Sequence, residues 1–302
     1  MDWSTLCENV MDPAHLPFTH HKTISSRARA GPISFGRLEG FSSTGFAATR
    51  QTSAAGRLTF RAPLLVLAET HRGPGSYSDW NAVYAVPTAP GKCRLLVRVV
   101  FEVSKLPIPL KWILTFAFTK QPIWWTHLTT HRILEDDNPF LHTQGHAYRD
   151  GDPTGLLAPS WAQRVYLPTR SDSMVAAFRR WIDEYTAGKG APWSLYLRSS
   201  GEMDISDPTR PPRRESKERV LDRYDSHVAH CSACTGALAN ARRVRRVAEG
   251  SVAAMLLVGG IVTRVRGAAL VFAALSFAVA RACAAVDEAM RLGTYPPPRN
   301  VS

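Results

Sequence analysis

The 302-residue chain is poor in cysteine, poor in acid and, near its end, almost uncharged. Five cysteines, an odd number scattered from Cys7 to Cys283, exclude the disulfide scaffold of a small secreted domain and point to a reducing compartment. Twenty-five Asp and Glu against 37 Lys and Arg leave a net charge of +12, so an anionic partner is expected. Much of the basic excess lies in "RPPRRESKER" and "ARRVRR", beside the apolar tail, which favours a membrane surface and argues for no nucleic acid. No leader segment precedes the first chemically dense stretch, which begins within eight residues of Met1, so the expectation is a chain that has lost a preceding part. No internal repeat is present.

From Gly250 to Val286 the only charges are Arg264, Arg266 and Arg281. The two apolar runs, "GSVAAMLLVGGIVT" and "GAALVFAALSFAVA", are each shorter than the ~20 residues a spanning helix prefers. With arginines at the turn and far end able to snorkel, residues 245–290 read as a two-helix membrane anchor; the alternative is a soluble hairpin covering an apolar surface.

The remaining composition, 45% apolar and 21% charged for the whole chain, suits one main globular domain over 1–200. Its first 55 residues read as a short helix broken at Pro17 and then a Gly/Ser/Thr-rich loop. "RLTFRAPLLVLAE" (57–69), "DWNAVYAVP" (79–87) and "RLLVRVVFEV" (94–103) read as neighbouring antiparallel strands. Residues 110–144 show helical spacing with an interruption near Pro122. Another helix follows, capped by Ser171 or Asp172, with Val175, Phe178, Ile182 and Tyr185 on one face and Gly188 as its stop. Residues 201–224 form a charged linker, and 225–240 contain Cys231-x-x-Cys234.

Potential metal ligands crowd the opening stretch "CENVMDPAHLPFTHH". On a helix Asn9, Asp12 and His15 share one face, and Pro17 forces a turn that brings His20 back toward His15. Imidazole suits Fe, Zn, Cu or Ni, so a third ligand must discriminate: two histidines with one carboxylate form the facial triad of non-haem Fe(II) oxygenases, whereas three protein ligands and an open position also describe catalytic zinc. The carboxylate candidates are Glu135, Asp136 and Asp137 in "HRILEDDNPF"; Asp137 shares the side of Ile133 and Phe140 and is preferred. Cys231 and Cys234 read either as a redox disulfide or, with His227 and His230, as zinc ligands. His127 and His131 share a helix face, His21 replaces His20 only if the turn is one residue longer, and Trp112, Trp124 and Trp125 are candidates for a pocket wall or for the core.

Asn9-x-x-Asp12-x-x-His15-x-x-x-x-His20, within "ENVMDPAHLPFTHHKTI", resembles the mononuclear-iron motif of Rieske-type oxygenases in the branch of pheophorbide a and chlorophyllide a oxygenases. "WWTHLTTHRILEDDNPFLHTQ" is similar to that family's carboxylate segment, with the match on Asp137 and with Gln144 also fitting. "RYDSHVAHCSACTGAL" and the apolar tail resemble the branch's C-terminal region. The resemblance implies an α+β helix-grip catalytic domain, an antiparallel sheet around a long helix, followed by the membrane hairpin. It implies Fe(II) held by His15, His20 and Asp137, with Asp12 coupling His15 to a neighbouring cluster and Asn9 beside the open coordination position. It further implies O2 as oxidant, a chlorophyll-derived tetrapyrrole as substrate, a ferredoxin-type electron donor, thioredoxin acting on Cys231 and Cys234, a homotrimer, and a chloroplast membrane, thylakoid or inner envelope.

One departure bears on electron delivery: the C-x-H and C-x-x-H pairs that hold a Rieske [2Fe–2S] cluster do not occur in the sequence. Two other readings stand beside the oxygenase, a non-catalytic pigment- or lipid-binding protein anchored to the membrane and a zinc hydrolase.

Overall fold

The computed structural model describes residues 1, 3–51, 55–89, 92–150, 165–185 and 214–297, with backbone only for 89 and 145–150. Two helices open the chain, α1 (Trp3–Met11) and the single turn α2 (Leu16–Thr19). Seven strands follow: β1 (Ser34–Phe35), β2 (Glu39–Ser42), β3 (Gly45–Gln51), β4 (Ala55–Arg61), β5 (Leu65–His71), β6 (Ser78–Ala89) and β7 (Lys92–Glu102). They form one sheet in the order β1-β3-β4-β5-β6-β7, with β2 also pairing β3, and every pairing is antiparallel.

The stretch 57–69 is thus two strands and not one. Pro63 has no N–H to give a ladder, and the chain turns at 62–64 before β5 runs back along β4 with Phe60 opposite Val66. The Gly/Ser/Thr-rich segment expected as loop holds β1, β2 and β3. "GFAATRQ" has weak β propensity, but Phe46, Ala47 and Ala48 are buried, and packing overrides the local preference. Gly45 is obligatory there: its φ is +129°, and a Cβ would lie 2.0 Å from the Phe60 carbonyl oxygen.

Residues 110–144 are three helices, α3 (Ile108–Thr119), α4 (Ile123–Leu134) and α5 (Asn138–Asp150). Pro122 is the residue before α4, and Pro139 sits in the first turn of α5, where no N–H is needed. After the undescribed residues 151–164 comes α6 (Ser173–Tyr185), preceded by a turn that Thr169 and Asp172 cap reciprocally. Thr169 is the N-cap of that turn and Asp172, one of the two expected caps, is its partner, while Gly188 lies outside the described residues.

Contacts divide the chain into two units: Met1–Lys120 with Asp137–Glu215, and Gln121–Asp136 with Ser216–Ser302. Residues 121–136, which the sequence reading keeps within 1–200, group with the C-terminal segment. In the first unit α1 and α6 lie on the sheet. Trp3, Leu6, Cys7 and Met11 from α1 and Met174, Phe178 and Trp181 from α6 pack with Phe46, Leu58, Phe60 and Val66. Phe60 meets Phe178 and Trp181 edge-on, with ring centroids 5.0 and 4.8 Å apart. β7 and α3 leave Leu96, Val99, Val100, Trp112, Ile113 and Phe116 exposed.

The second unit contains α4, the short helices α7 (Lys217–Val220) and α8 (Arg223–Ser226), and two long helices, α9 (Ser232–Ile261) and α10 (Arg266–Arg291). Residues 217–220 and 223–226 are thus helical where linker is expected; 201–213 lie outside the described residues. α9 and α10 pack along one another, and Gly259 permits the approach, since a Cβ there would stand 3.1 Å from that of Ala269. Among the described residues one helix, Thr263–Arg291, is long and apolar enough to cross a membrane. α9 is as long, but Arg242, Arg243, Arg245 and Arg246 interrupt it, so the first apolar run is only its part from Gly250 to Ile261.

Candidate metal centre

α2 brings two of the expected residues together. Pro17 fits its first turn, and the flanking residues, His15 and His20, are joined through one helical turn in which Thr19 N–H donates to the His15 carbonyl and His20 N–H to that of Leu16. Their ring centroids lie 5.4 Å apart. His21 is turned elsewhere, its Nδ1 accepting the Arg27 N–H at 3.1 Å.

The third residue arrives from the break between α4 and α5. The helix that the sequence reading continues through Glu135–Asp137 stops at Leu134, and Asp137 sits just ahead of α5, its carbonyl accepting the Leu141 N–H at 3.0 Å. Its carboxylate Oδ2 lies 3.3 Å from His20 Nε2 and accepts the Asn9 Nδ2–H at 2.9 Å. One donor atom each from His15, His20 and Asp137 fall within 4.8 Å of one another, and His20 and Asp137 are almost fully buried. Oδ1 of Asp137 is buried without a hydrogen-bond partner, the condition expected of an atom reserved for a cation. The donor set therefore fits one divalent transition-metal ion.

Asp12 stands beside this group. Its Oδ1 accepts the Ala14 N–H at 2.8 Å, and its Oδ2 is 3.6 Å from His15 Nδ1. Two further residues escape the sequence reading, Glu8 and Arg179. Arg179 Nε donates to Glu8 Oε1, and Gln144 Nε2 reaches the other oxygen at 3.4 Å, so this buried pair ties α1 to α5 and α6 next to Asn9. The available signal is Glu8 itself, an acid among the apolar residues of α1's buried face.

The second unit gathers a different set. His127 on α4 meets His227, Cys231 and Cys234, all with donor atoms within 4.8 Å of each other. The sequence pairs His127 with His131 on one helix face as candidates for a second metal, and His230, the other zinc candidate, is exposed. Burial pushes the Cys234 thiol up to about 12, with Cys231 adding to it. Next to this set His131 is held neutral, its pKa lowered to about 4 by burial and then by His227, Arg223 and His127. Below it Arg223 grips Glu135 bidentately at 2.5 and 2.6 Å and also donates to the Ala289 carbonyl. Burial raises the Glu135 pKa, and Arg223 opposes the rise. Trp124 packs against the small core of this unit with Trp125 edge-on to it at 5.6 Å, and in the first unit Trp112 is 70% exposed.

Residues 60–153, a span that includes Asp137, match the family described as pheophorbide a oxygenase. The chain is 29% identical over 294 residues to the chloroplastic pheophorbide a oxygenase of Oryza sativa subsp. japonica, covering 91% of this chain and 52% of that protein. It is 28% identical over 302 residues to that of Arabidopsis thaliana, covering 95% and 52%. Flavonoid 8-hydroxylase 2 of Ocimum basilicum is 28% identical over 256 residues, covering 77% and 43%. The chain spans about half the length of the curated relatives it matches. Over nine-tenths of its own length, the chain is thus similar to the pheophorbide a oxygenases, in keeping with that branch of the Rieske-type oxygenases.

Proposed function

We propose that this chain is the iron-holding catalytic part of a Rieske-type oxygenase acting on a chlorophyll-derived tetrapyrrole such as pheophorbide a or chlorophyllide a. The observation that carries the reading is the convergence of His15, His20 and Asp137 from both ends of a 120-residue interval on one buried point. Two imidazoles and one carboxylate leave positions open for O2 and for substrate, unlike a closed structural site. Fe(II) bound there supplies the redox chemistry of O2.

The protein's own residues prepare that site. Asn9 holds Oδ2 of Asp137 by N–H donation, which fixes the rotation of the carboxylate and leaves Oδ1 for the ion. Asp12 Oδ2 stands 3.6 Å from His15 Nδ1, beyond hydrogen-bond reach, so its carboxylate acts on that imidazole through charge. Burial of His20 and Asp137 keeps bulk water from competing for the metal. The Glu8–Arg179 pair positions the helix that carries Asn9.

The [2Fe–2S] group of the family finds no C-x-H and C-x-x-H pairs in this sequence, so no residue here is assigned to it and electrons come from a cluster held outside this sequence, fed by a ferredoxin-type donor. The sheet with α6 across its buried face supports a helix-grip arrangement. The apolar α10, with Leu270, Phe272, Leu275 and Phe277 exposed, supports attachment to a chloroplast membrane, where the net charge of +12 suits anionic lipid and propionate-bearing pigment. Coupling of Asp12 across a subunit boundary makes a homotrimer the expected assembly; a clean monomer in mild detergent at working concentration removes that part of the proposal.

Metal analysis tests the core of it. The oxygenase reading expects one iron per chain, absent in His15→Ala. Bound zinc with O2-independent hydrolysis, or pigment binding unaltered by loss of iron, removes it in favour of a hydrolase or a carrier.

A further inference from the structure

The proposed iron centre uses none of the residues gathered in the second unit. There His127 Nδ1 lies 3.1 Å from His227 Nε2, 3.4 Å from Cys234 Sγ and 3.5 Å from Cys231 Sγ, and His227 Nε2 is 3.5 Å from Cys234 Sγ. A tetrahedral zinc with Zn–N near 2.05 Å and Zn–S near 2.3 Å sets its ligands about 3.3 Å apart for two nitrogens and about 3.6 Å for nitrogen and sulfur. Four of the six edges of the tetrahedron are thus already close to length. We propose that His127, His227, Cys231 and Cys234 form a closed structural site for a single zinc ion, which fastens residues 121–136 to the C-terminal segment.

The sequence supplies three of the ligands within eight residues. Cys231 is the residue before α9, Cys234 lies in its first turn, and His227 ends α8 four residues earlier. A C-x-x-C pair at a helix start places both sulfurs on one side, and the intervening 3₁₀ turn Val228–His230 brings His227 to the same side. The fourth ligand comes from the middle of α4, a hundred residues away along the chain. Both thiols are free rather than joined, so both sulfurs are open to a metal, which would displace their protons on binding. Soft sulfur with imidazole in a four-fold set selects zinc over magnesium or calcium.

Two other occupants of a two-cysteine, two-histidine set fit less well. In a Rieske [2Fe–2S] centre the cysteines sit on one iron and the histidines on the other, which would separate nitrogen from sulfur well beyond the 3.4 and 3.5 Å found. A redox dithiol needs no histidine from a distant helix, whereas His127 touches both sulfurs. The surroundings suit a staple: the buried core beside the cluster consists of Val228, Cys234, Leu238 and Met290, little for a unit assembled from two separate stretches of chain.

The test uses the full chain in detergent. Metal analysis is expected to find one zinc per chain, retained in His15→Ala, which separates this site from the iron centre, and lost in Cys234→Ser and His127→Asn. Cobalt exchanged into the wild-type protein should show sulfur-to-cobalt charge transfer and the intense visible bands of a tetrahedral ion, a readout that stands even if the variants fold poorly. Zinc-free protein with no such bands overturns the proposal, as do bands that survive His127→Asn. A Cys231–Cys234 disulfide in freshly purified metal-free protein overturns it in favour of a thioredoxin-type redox pair.

Discussion

Asn9 Nδ2 donates to Asp137 Oδ2 at 2.9 Å, joining two residues 128 positions apart at the point where His20 also meets that carboxylate. α1 therefore does more than fill the core: it carries the group that sets the angle of the Asp137 carboxylate.

Replacing Asn9 by Leu keeps the side chain's approximate volume and removes the donor. We expect iron affinity to fall about 10- to 100-fold, the usual cost of losing a partner that orients a ligand. Competition with a ferrous chelator measures this, and unchanged affinity would show that Asn9 has no positioning role.

Arg223 and Glu135 form a buried bidentate pair, each less than a tenth exposed. Arg223→Met leaves the carboxylate without its partner, and the expected loss is about 3–5 kcal/mol. Adding Glu135→Leu should recover most of it. A denaturant midpoint for the double variant no higher than for the single one would contradict the reading.

Gly45→Ala forces a side chain into a left-handed conformation against the Phe60 carbonyl. The expected destabilisation is about 3 kcal/mol, enough to lower the yield of folded protein. Gly31, which has open space around it, serves as control, and Gly31→Ala should be close to neutral.

Phe272 and Leu275 face outward from α10. If that face contacts lipid, Phe272→Arg with Leu275→Arg should release the protein from membranes, since arginine at a helix centre costs about 2.5–3.5 kcal/mol on insertion. Flotation with anionic vesicles gives the comparison; equal flotation of the double variant removes the membrane role of this helix.

Much of the sheet was legible. β6 and β7 are long, rich in β-branched and aromatic residues, and bounded by Gly and Pro, so each strand announces itself locally. β3 did not, because alanine and glycine become strand only when Phe46 and Phe60 close over one another from neighbouring strands, 5.4 Å apart. In the same way "HRILEDDNPF" reads as uninterrupted helix, yet its three acids are all buried and go different ways, Glu135 to Arg223 and Asp137 to His20. No rule of spacing along one helix separates them once the helix has ended at Leu134.

By itself the sequence determined the one-turn geometry that pairs His15 with His20, the C-x-x-C start of α9 and the apolar run of α10, since each depends on contacts within a few residues. The sequence already prefers Asp137 as the third member of the first cluster; only the tertiary structure brought its carboxylate to His20 and put His127, not His230, beside the cysteines. Those meetings span a hundred residues or more, and what brings such distant side chains together is the burial of whole helices against common cores, which no short window of residues encodes.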